Sequence, residues 1–369
     1  MVGLFIGIKG KSVAQSWSRA HSTPRYNKSK ADVLTKFLTL KYLGSKKKLI
    51  PFLQKNIKSV VGNNLSQLTF CDLFAGTGIV GRTFKSSVKE VISNDLEFYA
   101  YVINRNYIGN NETIIDSQHY IDILNRIPLE HKGFIYQNYC PGGCGQRMYF
   151  SDHNGKKIDT MRKWIEWLKR IGIDDDLYFF LLASLIESSD TVSNVTALYT
   201  AYLKQLIPSA QQSLILEPAH FETTKNTHLV FNENANDLIR KISGDILYAD
   251  PPYIGRQYGG DYHLLDTIAK YDNFAPAGIT GRREYKRSAW ASSKSAEGQL
   301  EDLLKHAQFK YIFLSYNNEG LMPPDVIKSM MSKHGKYDVA TTEYRRFKSS
   351  AGVHKANSTT EYLHILEKP

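Results

Sequence analysis

Asp245-Ile246-Leu247-Tyr248-Ala249-Asp250-Pro251-Pro252-Tyr253 is the stretch from which the fold is read. Residues 245–249 form a short, mostly apolar run of the kind that makes a buried strand. Two successive prolines cannot extend a central strand, because neither donates an N–H. The chain therefore leaves the sheet at Asp250, at the strand's carboxyl end, where open α/β sheets bind their ligands. A carboxylate, a free proline carbonyl and an aromatic ring arrive there together. Adenine offers an amino group with two N–H donors and a flat ring. Asp250 and the Pro251 carbonyl suit the two donors, Pro252 turns the chain, and Tyr253 suits the ring. A plain Asp-Pro turn beside a packed tyrosine is the alternative, and the rest of the chain has to decide.

Upstream, residues 68–74 read as a strand running into Asp72-Leu73-Phe74-Ala75-Gly76-Thr77-Gly78-Ile79-Val80-Gly81. Glycines there let the backbone approach a ligand and turn tightly into a helix. Gly76, Gly78 and Gly81 also match the spacing of the dinucleotide fingerprint. A second strand, residues 88–93, ends at Asn94-Asp95. Asp95 falls roughly 20 residues after Gly76, where an acid binds a ribose hydroxyl. A nicotinamide-dependent enzyme is thus a rival reading. Against it, Asp72 and Phe74 suit a cationic amino-acid ligand better than a pyrophosphate, and nothing else suggests hydride transfer.

Before that block, Lys41-Tyr42-Leu43-Gly44-Ser45-Lys46 leads into an amphipathic helix with Leu49, Phe52, Leu53, Ile57 and Val60 on one face. A lysine at a helix start opposes the dipole, so Lys46 calls for an anionic neighbour; a solvated cluster with Lys47 and Lys48 is the bland reading. Residues 97–108 should be helical. From 109 to 235 the pattern changes to a mainly helical insertion. Asp159 is expected to cap a helix carrying Met161, Trp164, Leu168 and Ile171. Residues 177–186 are apolar almost all round and predict a buried helix. Val195, Leu198, Tyr199, Tyr202 and Leu206 predict another. Asp237 stands just upstream of the strand that delivers Asp250, either as an acceptor for a cofactor's adenine or as a helix cap.

Residues 254–295 interleave Arg256, Arg282, Arg283, Lys286, Arg287 and Lys294 with Tyr258, Tyr262, Tyr271, Tyr285 and Trp290. Cations for phosphates and aromatics for bases are the mixture nucleic-acid loops use, although several acids keep an ordinary surface in play. A helix over 297–306, a strand over 311–316 and a helix over 323–331 follow. Residues 338–347 and 361–366 read as a closing antiparallel pair joined by a polar connection, 348–360.

Composition agrees with this outline. The 369 residues carry 47 Lys+Arg against 36 Asp+Glu, a net charge of +11, which favours a polyanionic partner. The odd count of 3 cysteines argues against a disulfide scaffold and fits a reducing interior. No apolar run approaches the roughly 18–20 residues of a membrane span. Cys140 and Cys144 have a spacing that zinc permits, with His131 and His153 nearby. No second pair at the usual separation completes a site, so a turn-rich loop without metal is expected. Cys71 should face the core. Residues 1–36, basic and outside the motifs, read as a flexible arm.

Taken in order, these stretches resemble the adenine-specific DNA methyltransferases of the Dam-like (D12) class, in the subgroup of type II restriction–modification systems. The motifs at Tyr42 to Lys46, Asp72 to Gly78, Asp95 and Asp250 to Tyr253 occur in that family's order, and the tracts 194–205, 255–271 and 314–321 also look like the subgroup. The resemblance implies a Rossmann-like α/β fold with a mixed seven-stranded sheet and a helical inserted target-recognition region. The catalytic core would be 37–108 and 236–369, and the insertion 109–235. It implies S-adenosylmethionine as cofactor, with Tyr42 and Lys46 bordering its methionine end. Phe74, Gly76 and Gly78 would line it beside Asp72, Asp95 would hold the ribose hydroxyls, and Asp237 would touch its adenine. It further implies methylation of the N6 amino group of adenine in double-stranded DNA, with the base turned out of the stack and held by Asp250, Pro251, Pro252 and Tyr253. A cytoplasmic, prokaryotic, monomeric enzyme with a cognate restriction endonuclease is expected. Cytosine-N4 or glutamine methylation, or an inactive DNA-binding relative, are the alternatives that the same motifs leave open.

Overall fold

Alternation of large apolar side chains explains the centre of the molecule. In the computed structural model, which describes residues 40, 42, 44–129, 131–345 and 358–369, Phe70 and Cys71, Ile246 and Leu247, and Ile312 and Phe313 each point to opposite faces of one sheet. This is the period-two pattern of strands buried on both sides. The strands are β1 (Thr69–Asp72), β2 (Glu90–Asn94), β3 (Leu229–Phe231), β4 (Ser243–Ala249), β5 (Gln308–Asn317), β6 (Lys336–Arg345) and β7 (Ser358–Glu367). Their order across the 7-stranded sheet is β3-β2-β1-β4-β5-β7-β6. β7 runs antiparallel to both β5 and β6, and the other neighbours are parallel.

After β1 the chain builds outward through β2 to β3, then returns to the other side of β1 as β4. The switch point therefore lies between β1 and β4, where Asp72 is the register partner of Tyr248. A crevice opens at the carboxyl ends of strands on either side of such a reversal.

One face of the sheet is covered by α1 (Ile50–Val61) and α2 (Ile79–Phe84), which bury Leu53, Ile57, Val80 and Phe84 against Phe70, Ile246 and Phe313. The expected stripe of α1 is observed, with Leu53 and Ile57 buried and Phe52 and Val60 half-buried. On the other face, the helices Ala296–His306 and Pro324–Met331 pack Leu300, Leu303, Leu304 and Ile327 onto Leu247, Ile312 and Leu314. Cys71 is buried there as expected.

α3 (Phe98–Asn104), at the end of the first core segment, runs into a π-turn, and the insertion then carries α4 (Ser117–Arg126), α5 (Phe134–Tyr139), α6 (Asp152–Arg170) and α7 (Asp175–Thr191). α7 is buried on nearly every side, as its unbroken apolar run predicts. The insertion is not a detached lobe. Lys85, from the core, is buried and donates to the carbonyls of Tyr107, Asn110 and Glu222 at 3.0, 2.5 and 2.8 Å. The Tyr107 hydroxyl donates to Glu187 of α7 at 2.6 Å. β3 lies inside the 109–235 span assigned to the insertion, yet it pairs with β2 and belongs to the sheet.

Three local expectations are corrected. No helix forms over Val195 to Leu206. Asn194 instead clamps an irregular segment, donating to Met148 and Leu203 carbonyls and accepting from the Ile207 N–H. Asn, Ser and Thr compete with helical hydrogen bonding in this way. Asp159 does not cap its own helix, which starts seven residues earlier behind a capping Ser151. It lies buried in the middle of α6 and accepts the N–H groups of Ile135 and Tyr136 at the start of α5, both at 2.8 Å. The stretch 254–295 is only partly a polar surface. His263–Lys270 is a helix with buried His263, Leu264, Leu265 and Ile268, while Arg256, Arg282, Lys286, Arg287 and Lys294 stay exposed. The expected pair at 338–347 and 361–366 is seen as β6 and β7, with Phe347 and most of the connecting loop outside the described residues, as are Lys41 and the arm 1–36.

Among the described residues, no helix is long and apolar enough to cross a membrane.

Candidate active site

The switch point opens into a cleft with about 900 Å³ of empty space. Tyr42, Lys46, Asp72, Phe74, Gly76, Asp95, Asp250 and Pro252 line it, from four separate stretches of sequence.

The floor is built by β1. Asp72 ends that strand and is buried; its Oδ2 accepts the Gly81 N–H at 2.9 Å, which ties the strand to α2. Its Oδ1 is equally buried and has no hydrogen-bond partner among the described residues. An unmatched buried carboxylate oxygen is costly and marks a place for a donor. Burial pushes the Asp72 carboxyl up to about 7, the Gly81 N–H pulls it back, and the charges of Asp250 and Asp95 add to the rise.

The glycine turn comes next. Gly76 and Gly78 both have positive φ, 53° and 72°, which only glycine adopts without strain. A Cβ on Gly76 would lie 2.8 Å from the Tyr42 hydroxyl, so the bare backbone lets Tyr42 close over the turn. Gly78 does not line the cleft. It stands at the N-terminus of α2 against Asn104, whose amide donates to Gly76 and Ala100 carbonyls and whose Oδ1 accepts from Ser93.

Asp95 follows β2. Its Oδ2 accepts the Gly76 N–H at 2.7 Å and its Oδ1 the Glu97 N–H at 2.9 Å. Burial raises it to about 6, against those two backbone bonds. Glu97, also in the cleft wall, is raised to about 8 by burial and by Asp266 and Asp95.

Asp250 also lines the cleft, directly after β4. Lys46 Nζ lies 3.1 Å from its Oδ1, with only 4% of the lysine side chain exposed. The anionic neighbour that Lys46 required is thus Asp250. Burial opposes the ammonium, but Asp250 and the groups beside it outweigh that and hold Lys46 charged, well above the usual lysine value. Burial raises Asp250 and Lys46 counters it. Tyr253 lies under the same ammonium, 5.0 Å from its ring centroid, and packs edge-on against Tyr316 at 5.5 Å. Its carbonyl accepts the Leu321 N–H at 2.8 Å, which pins the loop. Pro251 is buried and Pro252 faces the cleft.

Asp237 is not brought to the site. It is exposed in the single turn Ala235–Leu238. The residues of that turn which line the cleft are Asn234 and Ala235, with Glu233 before them. Asn234 also caps the turn, accepting the Asn236 N–H at 2.9 Å. The sequence reading expected the polar contact at Asp237, and it did not place Trp290 and Tyr258 at the cleft. Trp290 meets Phe74 edge-on at 5.3 Å and donates to Asn236 Oδ1, and Tyr258 lies 5.7 Å from the Tyr42 ring. Their aromatic character amid cations was the available signal, but it was assigned to a nucleic-acid surface.

The cysteine loop has another construction. The Cys140 Sγ is buried and faces the carbonyls of Ile135 and Ser151, while Cys144 is exposed beside Gln137. No cluster of three or more potential metal ligands occurs among the described residues.

The cleft thus combines a free buried carboxylate oxygen, a glycine turn, a second acid on the next strand and aromatic walls. That set fits a cofactor with an ammonium, a diol and a flat base. Known proteins offer an independent comparison. A family model described as D12 class N6 adenine-specific DNA methyltransferase matches residues 42–330. The chain is 53% identical over 333 residues to the type II methyltransferase M.NlaIII of Neisseria lactamica, covering 89% of this chain and 99% of that protein. It is 34% identical over 329 residues to the type II methyltransferase M.CviAII of Paramecium bursaria Chlorella virus 1, covering 88% of this chain and 97% of the relative. It is also 36% identical over 330 residues to the modification methylase LlaI of Lactococcus lactis subsp. lactis, covering 84% of this chain but 52% of that longer protein.

Proposed function

This chain belongs to the D12 class of N6 adenine-specific DNA methyltransferases, and from that premise we propose how its cleft works. S-adenosylmethionine is the methyl donor, and when bound it supplies an activated methyl group on a sulfonium. Asp72 Oδ1 receives its ammonium, Asp95 its ribose hydroxyls, and Phe74 and Trp290 flank its base, with Asn234 and Glu233 rather than Asp237 beside it. Tyr42 covers the glycine turn and keeps water out.

The target adenine in double-stranded DNA leaves the stack and enters beside Asp250, as any base must to be reached by an enzyme of this kind. Its amino nitrogen is conjugated with the ring and is a poor nucleophile. The Asp250 carboxylate and the Pro251 carbonyl accept its two N–H groups, drawing the lone pair out of the ring and toward the cleft. Lys46 keeps Asp250 ionised for that task, and Tyr253 holds the ring. Catalysis by this route is positioning and electrostatics. The insertion contributes to target recognition, and the enzyme protects its sites against a cognate restriction endonuclease.

The observation that carries this reading is the half-buried carboxylate of Asp250, charge-paired with Lys46 in the same cleft as the unmatched oxygen of Asp72. Asp250→Ala is expected to lower methyl transfer by on the order of 10²-fold or more while cofactor affinity stays within about threefold. Nucleoside analysis of DNA methylated by the wild-type protein should find N6-methyladenine. Wild-type transfer by Asp250→Ala would defeat the reading.

A further inference from the structure

Glu361 is a buried carboxylate, 4% exposed, that the scheme above leaves unused. It lies near the start of β7, opposite Asn317 at the carboxyl end of β5. β5 is the neighbour of β4, with Leu314 level with Ala249, so this end of β7 reaches the same edge of the sheet as Asp250. Side chains alternate along β7. Leu363 and Ile365 pack on the face covered by α1, and Glu361 shares their parity. That is also the face on which the turn carrying Lys46 runs into Leu49 and α1.

Its Oε2 is buried and has no hydrogen-bond partner among the described residues. Burial raises the Glu361 carboxyl, Lys46 is the charge that pulls it back, and Asp250 adds to the rise. Lys46 in turn is held charged by Asp250, Tyr253 and Glu361. The strand is also tied to the loop that pins Tyr253. Asn318 accepts from the Thr359 hydroxyl at 2.7 Å and the Thr360 N–H at 3.2 Å, and Leu321 in the same loop donates to the Tyr253 carbonyl.

One acid thus pairs with the buried ammonium, a second acts on it from the same edge and face of the sheet, and that second acid has an oxygen to spare. We propose that Glu361 is a positioning residue for methyl transfer, taking up the charge of Lys46 when the target amino group claims the Asp250 carboxylate. Without it, Lys46 draws on Asp250 alone and competes with the amino group for that one carboxylate, and a buried cation whose partner is shared in this way is less well offset. The proposal rests on the reading of Asp250 given above.

The test is steady-state methyl transfer to unmodified DNA by the full-length protein carrying Glu361→Gln, in the wild-type and Lys46→Met backgrounds. In the Lys46 background kcat should fall by about tenfold or more, with KM for DNA and for cofactor within about threefold. In the Lys46→Met background the same change should alter kcat by less than about twofold, since a residue acting through Lys46 has nothing left to act on. Equal losses in both backgrounds, or wild-type kcat for Glu361→Gln, would overturn the proposal. Should Glu361→Gln alone fail to fold, Lys46→Met/Glu361→Gln is compared with Lys46→Met: matching kcat supports the proposal and a lower one overturns it. Asp250→Ala in the same assay separates the two readings. Its activity would sink both, whereas an inactive Asp250→Ala beside a fully active Glu361→Gln sinks this one alone.

Discussion

Asp95 accepts the backbone N–H of Gly76 at 2.7 Å, joining the carboxyl end of β2 to the turn that follows β1. A single bond thereby fixes the distance between the acid and the glycine turn. Asn104 reinforces it from α3, donating to the Gly76 carbonyl at 3.0 Å. The geometry of the turn is therefore over-determined, and its glycines are where it is vulnerable.

Gly78→Ala should show this. A methyl group at that φ is strained, and it collides with Asn104 Oδ1, whose displacement also releases the Gly76 carbonyl. A loss of about 1–3 kcal/mol is expected, together with weaker cofactor binding. Thermal unfolding with and without S-adenosylhomocysteine measures both; an unchanged midpoint and affinity would contradict the assignment.

Cofactor affinity should depend on pH through Asp72. Its carboxyl sits at about 7 in the free protein, and a cation beside it lowers that value. Binding therefore favours the ionised form and weakens as pH falls below about 7, by up to roughly tenfold per unit. Calorimetric titration with S-adenosylhomocysteine between pH 6 and pH 8 reads the slope. Asp72→Asn should bind more weakly and lose the dependence on this group; an identical slope in the variant would place the titrating group elsewhere.

Trp290 offers a graded test of the cleft wall. It is buried, packs on Phe74 and donates to Asn236. Trp290→Ala should cost about 3–5 kcal/mol of stability by opening a cavity. Trp290→Phe keeps most of the packing and loses chiefly the hydrogen bond, a change of about 1 kcal/mol. Equal losses in the two variants would mean that packing is not what Trp290 supplies.

Arg287 is exposed and adjoins Ser288, which lines the cleft. If it meets a DNA phosphate, Arg287→Ala should weaken binding uniformly across sequences and lower the slope of log K against log salt by about 1. Fluorescence anisotropy across a salt series gives that slope, and a variant with the wild-type slope would remove Arg287 from the interface.

The elements legible in the sequence were those whose signal is local. β4 announces itself by an apolar run stopped by two prolines, and α7 by an unbroken apolar stretch. Where distant partners decide, local reading failed. The irregular course after Asn194 depends on carbonyls at Met148 and Leu203, and Asp159 serves a helix that begins 25 residues before it in sequence order, at Phe134. Asp237 drew attention as an acid just ahead of β4, yet the turn sets Asn234 and Ala235 on the cleft and leaves Asp237 off it. Glu361 carried no motif at all. Its significance comes from β7 lying beside β5, which no spacing in the chain encodes.

Lys85 has one further consequence. By gripping carbonyls at Tyr107, Asn110 and Glu222, it stitches both ends of the inserted segment to α2 and its neighbours. A designer wishing to transplant a new sequence preference into this scaffold cannot treat the insert as a cassette. The seam, including Lys85 and the Tyr107–Glu187 contact, has to travel with the graft, or the recipient inherits a cation with no carbonyls to hold.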